Sequence, residues 1–151
     1  MITNMENSQA TINENDINCF EKRFGIVLPE DYKRFLIKYN GGKPSPRRFK
    51  TIDNKTITSL LLILPLADIQ SENLASNYIS FNQGNKIPKN LLPIGQDPIK
   101  NKICMSIGGE DVGYIYYWDM DEDFGNAPSY DNMFLVAKSF TDFINSLCEA
   151  L

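Results

Sequence analysis

The residues best suited to chemistry in this 151-residue chain are carboxylates, and three of them occupy alternate positions at Asp119, Asp121 and Asp123. Carboxylates with this spacing begin an EF-hand calcium loop, which also needs glycine at position six and a bidentate acid at position twelve. Counted from Asp119, those two positions hold Phe124 and Tyr130, so the signature fails twice. We therefore expect no metal site and no cofactor.

Catalytic groups are also missing from the sequence. The chain has no histidine, which removes Ser-His-Asp and Cys-His triads and the commonest general acid or base at neutral pH. Phosphate-binding G-x-x-x-x-G-K and G-x-G-x-x-G loops are absent, and nothing places two carboxylates across a glycosidic bond. The sequence therefore predicts a protein that is not an enzyme, with no catalytic residues.

Charge is distributed unevenly, although the net charge is only −4. Residues 103–151 contain nine acids and one base, Lys138, giving −8, which leaves +4 for the remainder of the chain. An acidic surface of this kind suits a basic protein partner, although each acid could equally be a solvated surface group. With a pI near 4.8 and no nucleic-acid-binding motif, we expect no binding to nucleic acid.

The acidic loop that follows the last predicted hairpin is the best candidate for partner binding, because a loop on a rigid sheet can vary without harming the core. Aromatic side chains with a polar group dominate binding hot spots, so Trp118 and Tyr116 are candidate anchors beside it. A lone tryptophan on a strand is more often a core residue. The predicted partner-binding set is Glu110, Asp111, Tyr116, Trp118, Asp119, Asp121, Glu122, Asp123 and Asp131.

Two amphipathic helices near the N-terminus are the clearest predicted elements. Gly25 suits the left-handed residue that ends the first helix, and Pro29 suits the first turn of the second. Asn40-Gly41-Gly42 then ends the second helix. Their apolar stripes are Ile17, Phe20 and Phe24, followed by Tyr32, Phe35, Leu36 and Tyr39.

The remaining pattern describes strands followed by a last helix. A final helix is predicted to open at Ser139, whose hydroxyl can cap it. We predict strands over 48–52, 56–64 and 92–94, a helix over 72–81, and a half-buried hairpin through 103–107 and 114–118. This order predicts one α+β domain over 1–151, with a mainly antiparallel sheet and a flexible segment over about 1–13.

These motifs, in this order, resemble the SUKH superfamily, which joins fungal Smi/Knr cell-wall-synthesis regulators to bacterial immunity proteins. The resemblance covers roughly residues 14–148 and implies the same α+β fold. Glu21 is expected to accept hydrogen bonds from the Gly41-Gly42 turn. The motifs are Glu21 and Gly25, Leu28-Pro29-x-x-Tyr32, Asn40-Gly41-Gly42, 92–97, 101–106, 114–119, and Phe140 with Phe143. The structural motif residues are Glu21, Gly25, Pro29, Tyr32, Asn40, Gly41 and Gly42.

The resemblance implies an immunity protein that binds and neutralises a cognate protein toxin, which we expect to be basic and of the nuclease type.

The chain has three cysteines, Cys19, Cys104 and Cys148, and no CxxC pair. This usage is typical of free thiols in a reducing compartment, so we expect a cytoplasmic protein. The longest apolar run, 60–67, is too short for a membrane span. We expect a monomer or weak dimer. Two alternatives remain: a regulatory scaffold for endogenous proteins, and a small-ligand-binding protein or histidine-free enzyme with a sheet-lined pocket.

Overall fold

A computed structural model describes residues 1–120 and 127–150 of the chain. Its helices and strands are short and form an α+β arrangement. In chain order they are β1 (Asn4–Glu6), α1 (Glu14–Phe24), α2 (Glu30–Lys38), β2 (Lys43–Ser45), β3 (Arg48–Lys50), β4 (Ile57–Ser59), β5 (Leu62–Ile63), α3 (Leu74–Asn77), a π-helical segment (Tyr78–Gln83), β6 (Leu91–Gln96), β7 (Lys102–Ser106), β8 (Ile115–Trp118), β9 (Met133–Ala137) and α4 (Phe140–Ser146).

A five-stranded sheet forms the centre of the fold, in the order β5-β6-β7-β8-β9. Every neighbouring pair in it is antiparallel, and β7 and β8 form the predicted hairpin, with Met105 opposite Ile115. Two smaller antiparallel pairs, β1-β2 and β3-β4, lie outside it. The predicted α+β fold, with a helical pair before the sheet and a helix after it, is confirmed.

Local capping explains where the helices begin and end. Asn13 accepts a hydrogen bond from the Asp16 N–H at 3.0 Å and donates its own N–H to the Asp16 carboxylate at 2.9 Å, so α1 begins with a capping box that the sequence analysis missed. Gly25 follows α1 with a φ of 66°, as predicted. Ser139 caps α4, because its hydroxyl accepts from the Asp142 N–H at 3.0 Å.

The main core lies between the helices and one face of the sheet. Tyr32 of α2 packs edge-on against Phe140 of α4, with ring centroids 5.0 Å apart. Ile103 and Met105 of β7 belong to this core. Cys104, whose side chain points to the opposite face, belongs to a second apolar cluster with Leu91, Trp118 and Met133.

Strand β7 is therefore buried along both faces, which corrects the prediction of a half-buried hairpin strand. All five residues from Lys102 to Ser106 are buried. The reason is long-range packing: Phe81 of the π-helical segment and Ile87 cover the outer face of the sheet. Periodicity within a strand cannot reveal a cover that comes from a distant part of the chain.

Several other boundaries differ from the predicted ones. The predicted helix over 72–81 is one α-helical turn, α3, followed by the π-helical segment. The predicted strand over 56–64 is two strands, because β4 pairs with β3 whereas β5 pairs with β6. Within the segment 1–13, for which the composition predicts flexibility, β1 pairs with β2. None of the helices in the described residues is long and apolar enough to cross a bilayer.

Candidate partner-binding surface

Asp111 is the centre of a hydrogen-bond network at one end of the sheet. It lies in the turn between β7 and β8, and its carboxylate accepts hydrogen bonds from the Ser106, Tyr116 and Tyr130 hydroxyls at 2.6, 2.7 and 2.9 Å. Partial burial of Asp111 opposes ionisation, but the three hydroxyl donors outweigh it and lower the pKa of the carboxyl. The group is thus held as a fixed negative charge.

Tyr130 brings the loop before β9 back across the outer face of the sheet to this turn. Its hydroxyl accepts from the Asn90 amide at 2.7 Å while donating to Asp111, and its ring packs edge-on against Tyr116 with centroids 5.3 Å apart. Burial, together with the hydrogen bond to Asp111, raises the pKa of Tyr116. Tyr130 nevertheless remains 39% exposed. We call Asp111, Tyr116, Tyr130 and Asn90 the tyrosine–carboxylate surface.

The acidic residues of the predicted partner-binding set do not form a single cluster in the described part of the structure. Glu110 and Asp131 are exposed and flank the tyrosine–carboxylate surface in sequence. Asp119 is half-buried at the opposite end of β8, where its N–H donates to the Asn132 carbonyl at 3.1 Å. Asp121, Glu122 and Asp123 lie outside the described residues. The structure therefore joins Asp111 to Tyr116, as part of one network, and places Asp119 elsewhere.

Trp118 corrects the prediction of an aromatic anchor on the surface. Its side chain is only 2% exposed and packs edge-on against Phe81, with ring centroids 5.3 Å apart. The cause is again the π-helical segment, which covers the outer face of β8 at this position. Tyr130, which the sequence analysis did not include, is the exposed aromatic residue instead. The sequence feature that could have identified Tyr130 is its position within the predicted acidic loop.

Glu21 has a different partner from the predicted one. Its carboxylate accepts a hydrogen bond from the Leu28 N–H at 2.7 Å and lies 3.4 Å from the Lys33 ammonium. It therefore fastens the end of α1 to the segment that leads into α2, rather than binding the Gly41-Gly42 turn. The reason is proximity, since Leu28 follows Gly25 by three residues and its N–H precedes the first turn of α2.

Asn40 holds together three separate parts of the chain. Its amide donates to the Ala10 and Leu66 carbonyls at 2.9 and 2.8 Å, and its side-chain oxygen accepts from the Leu66 N–H at 2.8 Å. Gly41 and Gly42 follow with φ values of 72° and 125°. These hydrogen bonds all join parts of the same chain, so the Asn40-Gly41-Gly42 motif serves folding.

The other motif residues lie at the start of α2 and beneath it. Pro29 occupies the N-cap position of α2, where a missing N–H leaves no helical hydrogen bond unmade. Tyr32 is fully buried, and its hydroxyl has no hydrogen-bond partner in the described residues. Burial raises the pKa of Tyr32 far above its ordinary value. A permanently neutral ring of this kind serves packing.

Comparison with known proteins identifies the family of this α+β domain. The chain belongs to the SMI1/KNR4 family (SUKH-1), whose model matches residues 11–146. This confirms the resemblance found in the sequence. The chain is similar to the SPbeta prophage-derived uncharacterized protein YokK of Bacillus subtilis (strain 168), at 32% identity over 158 residues, covering 92% of this chain and 77% of that protein.

Metal binding has no structural support in the part of the chain that can be described. Among residues 1–120 and 127–150, no group of three or more Cys, Asp or Glu side chains could hold a metal ion.

Proposed function

We propose that this protein is an immunity protein, a cytoplasmic and non-enzymatic inhibitor that binds and neutralises a basic cognate toxin of the nuclease type. The observation that carries the proposal is the tyrosine–carboxylate surface, where the exposed Tyr130 ring is fixed beside the half-buried carboxylate of Asp111. Such a surface fits a basic partner, and toxins that hold nucleic acid are commonly basic.

The geometry supports tight binding because the aromatic anchor is ordered before any partner arrives. Tyr130 is held by hydrogen bonds to Asn90 and Asp111 and by its contact with the Tyr116 ring. A partner that docks on a preorganised ring avoids most of the entropy cost of ordering it. Burial of aromatic area then slows dissociation, whereas the exposed charges of Glu110 and Asp131 speed the encounter.

The resemblance implies either a bacterial immunity protein or a regulatory scaffold like the fungal ones, and the similarity to YokK favours the first. YokK is a bacterial protein, so it supports the bacterial immunity branch over the fungal regulatory scaffolds. A scaffold for endogenous proteins is the alternative that the fungal branch would imply.

Co-expression tests the proposal directly. A toxin domain encoded beside this gene is expressed in a bacterial host with the wild-type chain, with Tyr130→Ala, or with Val27→Ala as a control at a residue that is 71% exposed. We expect the wild type and Val27→Ala to restore growth and Tyr130→Ala to restore it less, with all three proteins equally folded by circular dichroism. Failure of the wild type to restore growth or to bind the toxin would refute the proposal.

A further inference from the structure

The β3–β4 hairpin carries a basic surface that the proposed binding site does not use. Residues 47–59 contain four bases and a single acid, Asp53. The Asp53 carboxylate accepts hydrogen bonds from the Thr51 hydroxyl at 2.6 Å and from the Lys55 N–H at 3.0 Å, so it closes the turn of the hairpin. The basic hairpin surface, as we call it, consists of Arg47, Arg48, Lys50, Ile52, Lys55 and Ile57.

Basic and apolar side chains share the outer face of this hairpin. All four bases are exposed, and none of them belongs to an ion pair in the described part of the chain. Arg48 and Lys50 alternate with the buried Phe49, so they point away from the core. Lys50 lies directly opposite Ile57, and residues opposite each other in an antiparallel pair share a face.

The hairpin is fixed to the rest of the fold. Arg48 exchanges two backbone hydrogen bonds with Cys148, at 2.9 and 3.0 Å, and the Ile52 N–H donates to the Leu135 carbonyl at 2.8 Å. On the inner face, the Phe49 ring packs edge-on against Phe143 with centroids 5.3 Å apart. A partner that docks on the outer face therefore does not have to order the hairpin first.

The chain itself carries a surface of opposite charge. Glu110 and Asp131 are exposed and flank the tyrosine–carboxylate surface in sequence, and the Tyr130 ring of that surface is 39% exposed. On the hairpin, Ile52 and Ile57 are 54% and 51% exposed. The two surfaces thus match in two respects, because acids can face bases while an aromatic ring can pack against isoleucines.

A second copy of the chain fits the hairpin better than nucleic acid does. Proteins that hold single strands without sequence preference stack the bases on aromatic side chains, and the outer face of this hairpin has none. The sequence pI near 4.8 also disfavours binding to a polyanion. An acidic surface on another copy requires neither stacking nor a positive net charge.

We propose that the basic hairpin surface of one copy binds the tyrosine–carboxylate surface of a second copy. Exposed ion pairs contribute little individually and are screened by salt, so the association is weak, reversible and salt-sensitive. The contact between copies does not depend on the proposed function. Its consequence does rest on that function: a second copy and a toxin cover the same surface, and therefore compete for it.

Sedimentation velocity tests the contact without any toxin. The Debye length is about 30 Å at about 0.01 M salt and about 3 Å at about 1 M salt. We expect the sedimentation coefficient of the wild type to rise with protein concentration at the lower salt and to stay constant at the higher. No rise at low salt would overturn the proposal. Retention on heparin that needs the hairpin bases, without self-association, would overturn it in favour of a polyanion.

Charge reversal identifies the two surfaces. Arg48→Glu combined with Lys50→Glu reverses the hairpin, and Glu110→Lys combined with Asp131→Lys reverses the acidic side, all at exposed positions. We expect each double variant to stay monomeric at low salt, and an equimolar mixture of the two to associate, because opposite charges face each other again in the mixture. Self-association of either double variant, or no association in the mixture, would contradict the proposal.

A matched control separates the hairpin from net charge. Lys22→Glu combined with Arg34→Glu changes the net charge as much as the hairpin variant does, at exposed bases of α1 and α2. We expect this control to keep the association that the hairpin variant loses, with all variants folded by circular dichroism. Equal loss in the control and in the hairpin variant would show that net charge alone is responsible, and would overturn the proposal.

The outcomes separate this inference from the proposed function. A wild type that self-associates but binds no toxin would leave the contact between copies standing and refute the proposed function. A toxin that binds while the wild type stays monomeric at low salt would overturn only the inference. Where both occur, the toxin domain should displace the second copy, and a complex that retains two contacting copies would refute the competition.

Discussion

Replacement of Gly41 by alanine is the sharpest test of how the family motif specifies this fold. Gly41 has a φ of +72°, and a Cβ atom there would lie 2.7 Å from the Ile63 carbonyl oxygen and 2.8 Å from Pro65. The same Ile63 oxygen accepts a hydrogen bond from the Gly42 N–H at 3.0 Å. Moving this oxygen away from the added Cβ would therefore weaken that hydrogen bond. Gly25 provides a matched control, because its φ is +66° but nothing lies within 4 Å of its Cβ position.

Both substitutions place alanine in left-handed backbone, but only Gly41→Ala also creates a steric clash. Left-handed backbone at a non-glycine residue costs about 1–2 kcal/mol, which applies to both, and a lower unfolded-state entropy returns about 0.4–1 kcal/mol to both. Only Gly41→Ala adds the steric cost of overpacking, about 1–3 kcal/mol. We therefore expect Gly25→Ala to lower the free energy of unfolding by about 1 kcal/mol, and Gly41→Ala by about 2–4 kcal/mol.

Urea unfolding followed by circular dichroism measures both values on a two-state domain of this size. We predict that Gly41→Ala is less stable than Gly25→Ala by at least about 1 kcal/mol. Equal destabilisation by the two substitutions would show that the close approach of Gly41 to Ile63 and Pro65 does not contribute to stability, and would refute the reasoning.

Three further outcomes follow from other parts of the structure. Tyr32→Phe should keep or raise thermal stability, because it removes a buried hydroxyl without a described partner, whereas Tyr32→Ala should cost about 3–5 kcal/mol. Glu21→Ala should lower the free energy of unfolding in urea by about 2 kcal/mol, since it leaves the Leu28 N–H unpaired, and unchanged stability would contradict this. Purified protein should show no hydrolase or nuclease turnover with or without divalent metal; activity that Asp119→Asn abolishes would exclude a purely binding role.

Local sequence signals predicted α1, α2, α4 and the hairpin, because their determinants are close in the chain. Gly25 at positive φ and Ser139 as an N-cap act within one turn of their helices, and β7 and β8 are joined by a short turn. The split of 56–64 into β4 and β5 depends instead on two distant partners, β3 and β6. The residue pattern within 56–64 does not indicate which distant strands will pair with it.

The candidate surface was predicted only in part, for the same reason. Asp111 and Tyr116 both belong to the predicted partner-binding set, but their spacing does not indicate that one hydrogen-bond network joins them. The sequence pattern offers Trp118 as a surface anchor, although Phe81, which is distant in sequence, packs against it and it is buried. Asp97 stands out in the sequence only as part of a family motif, because its burial and the four hydrogen bonds that its carboxylate accepts come from β4, β8 and the turn after β6.

Association kinetics against the toxin domain test the central claim, that an acidic surface captures a basic partner. Surface plasmon resonance at low and high salt compares the wild type with a variant in which the exposed Glu110 and Asp131 are replaced by Gln and Asn. Exposed charges act over about 8 Å at physiological salt and contribute little after docking. We predict that the wild-type association rate falls with salt, and that the variant associates more slowly with weaker salt dependence and an unchanged dissociation rate. A wild-type association rate that is indifferent to salt, or no complex at all, would contradict the account.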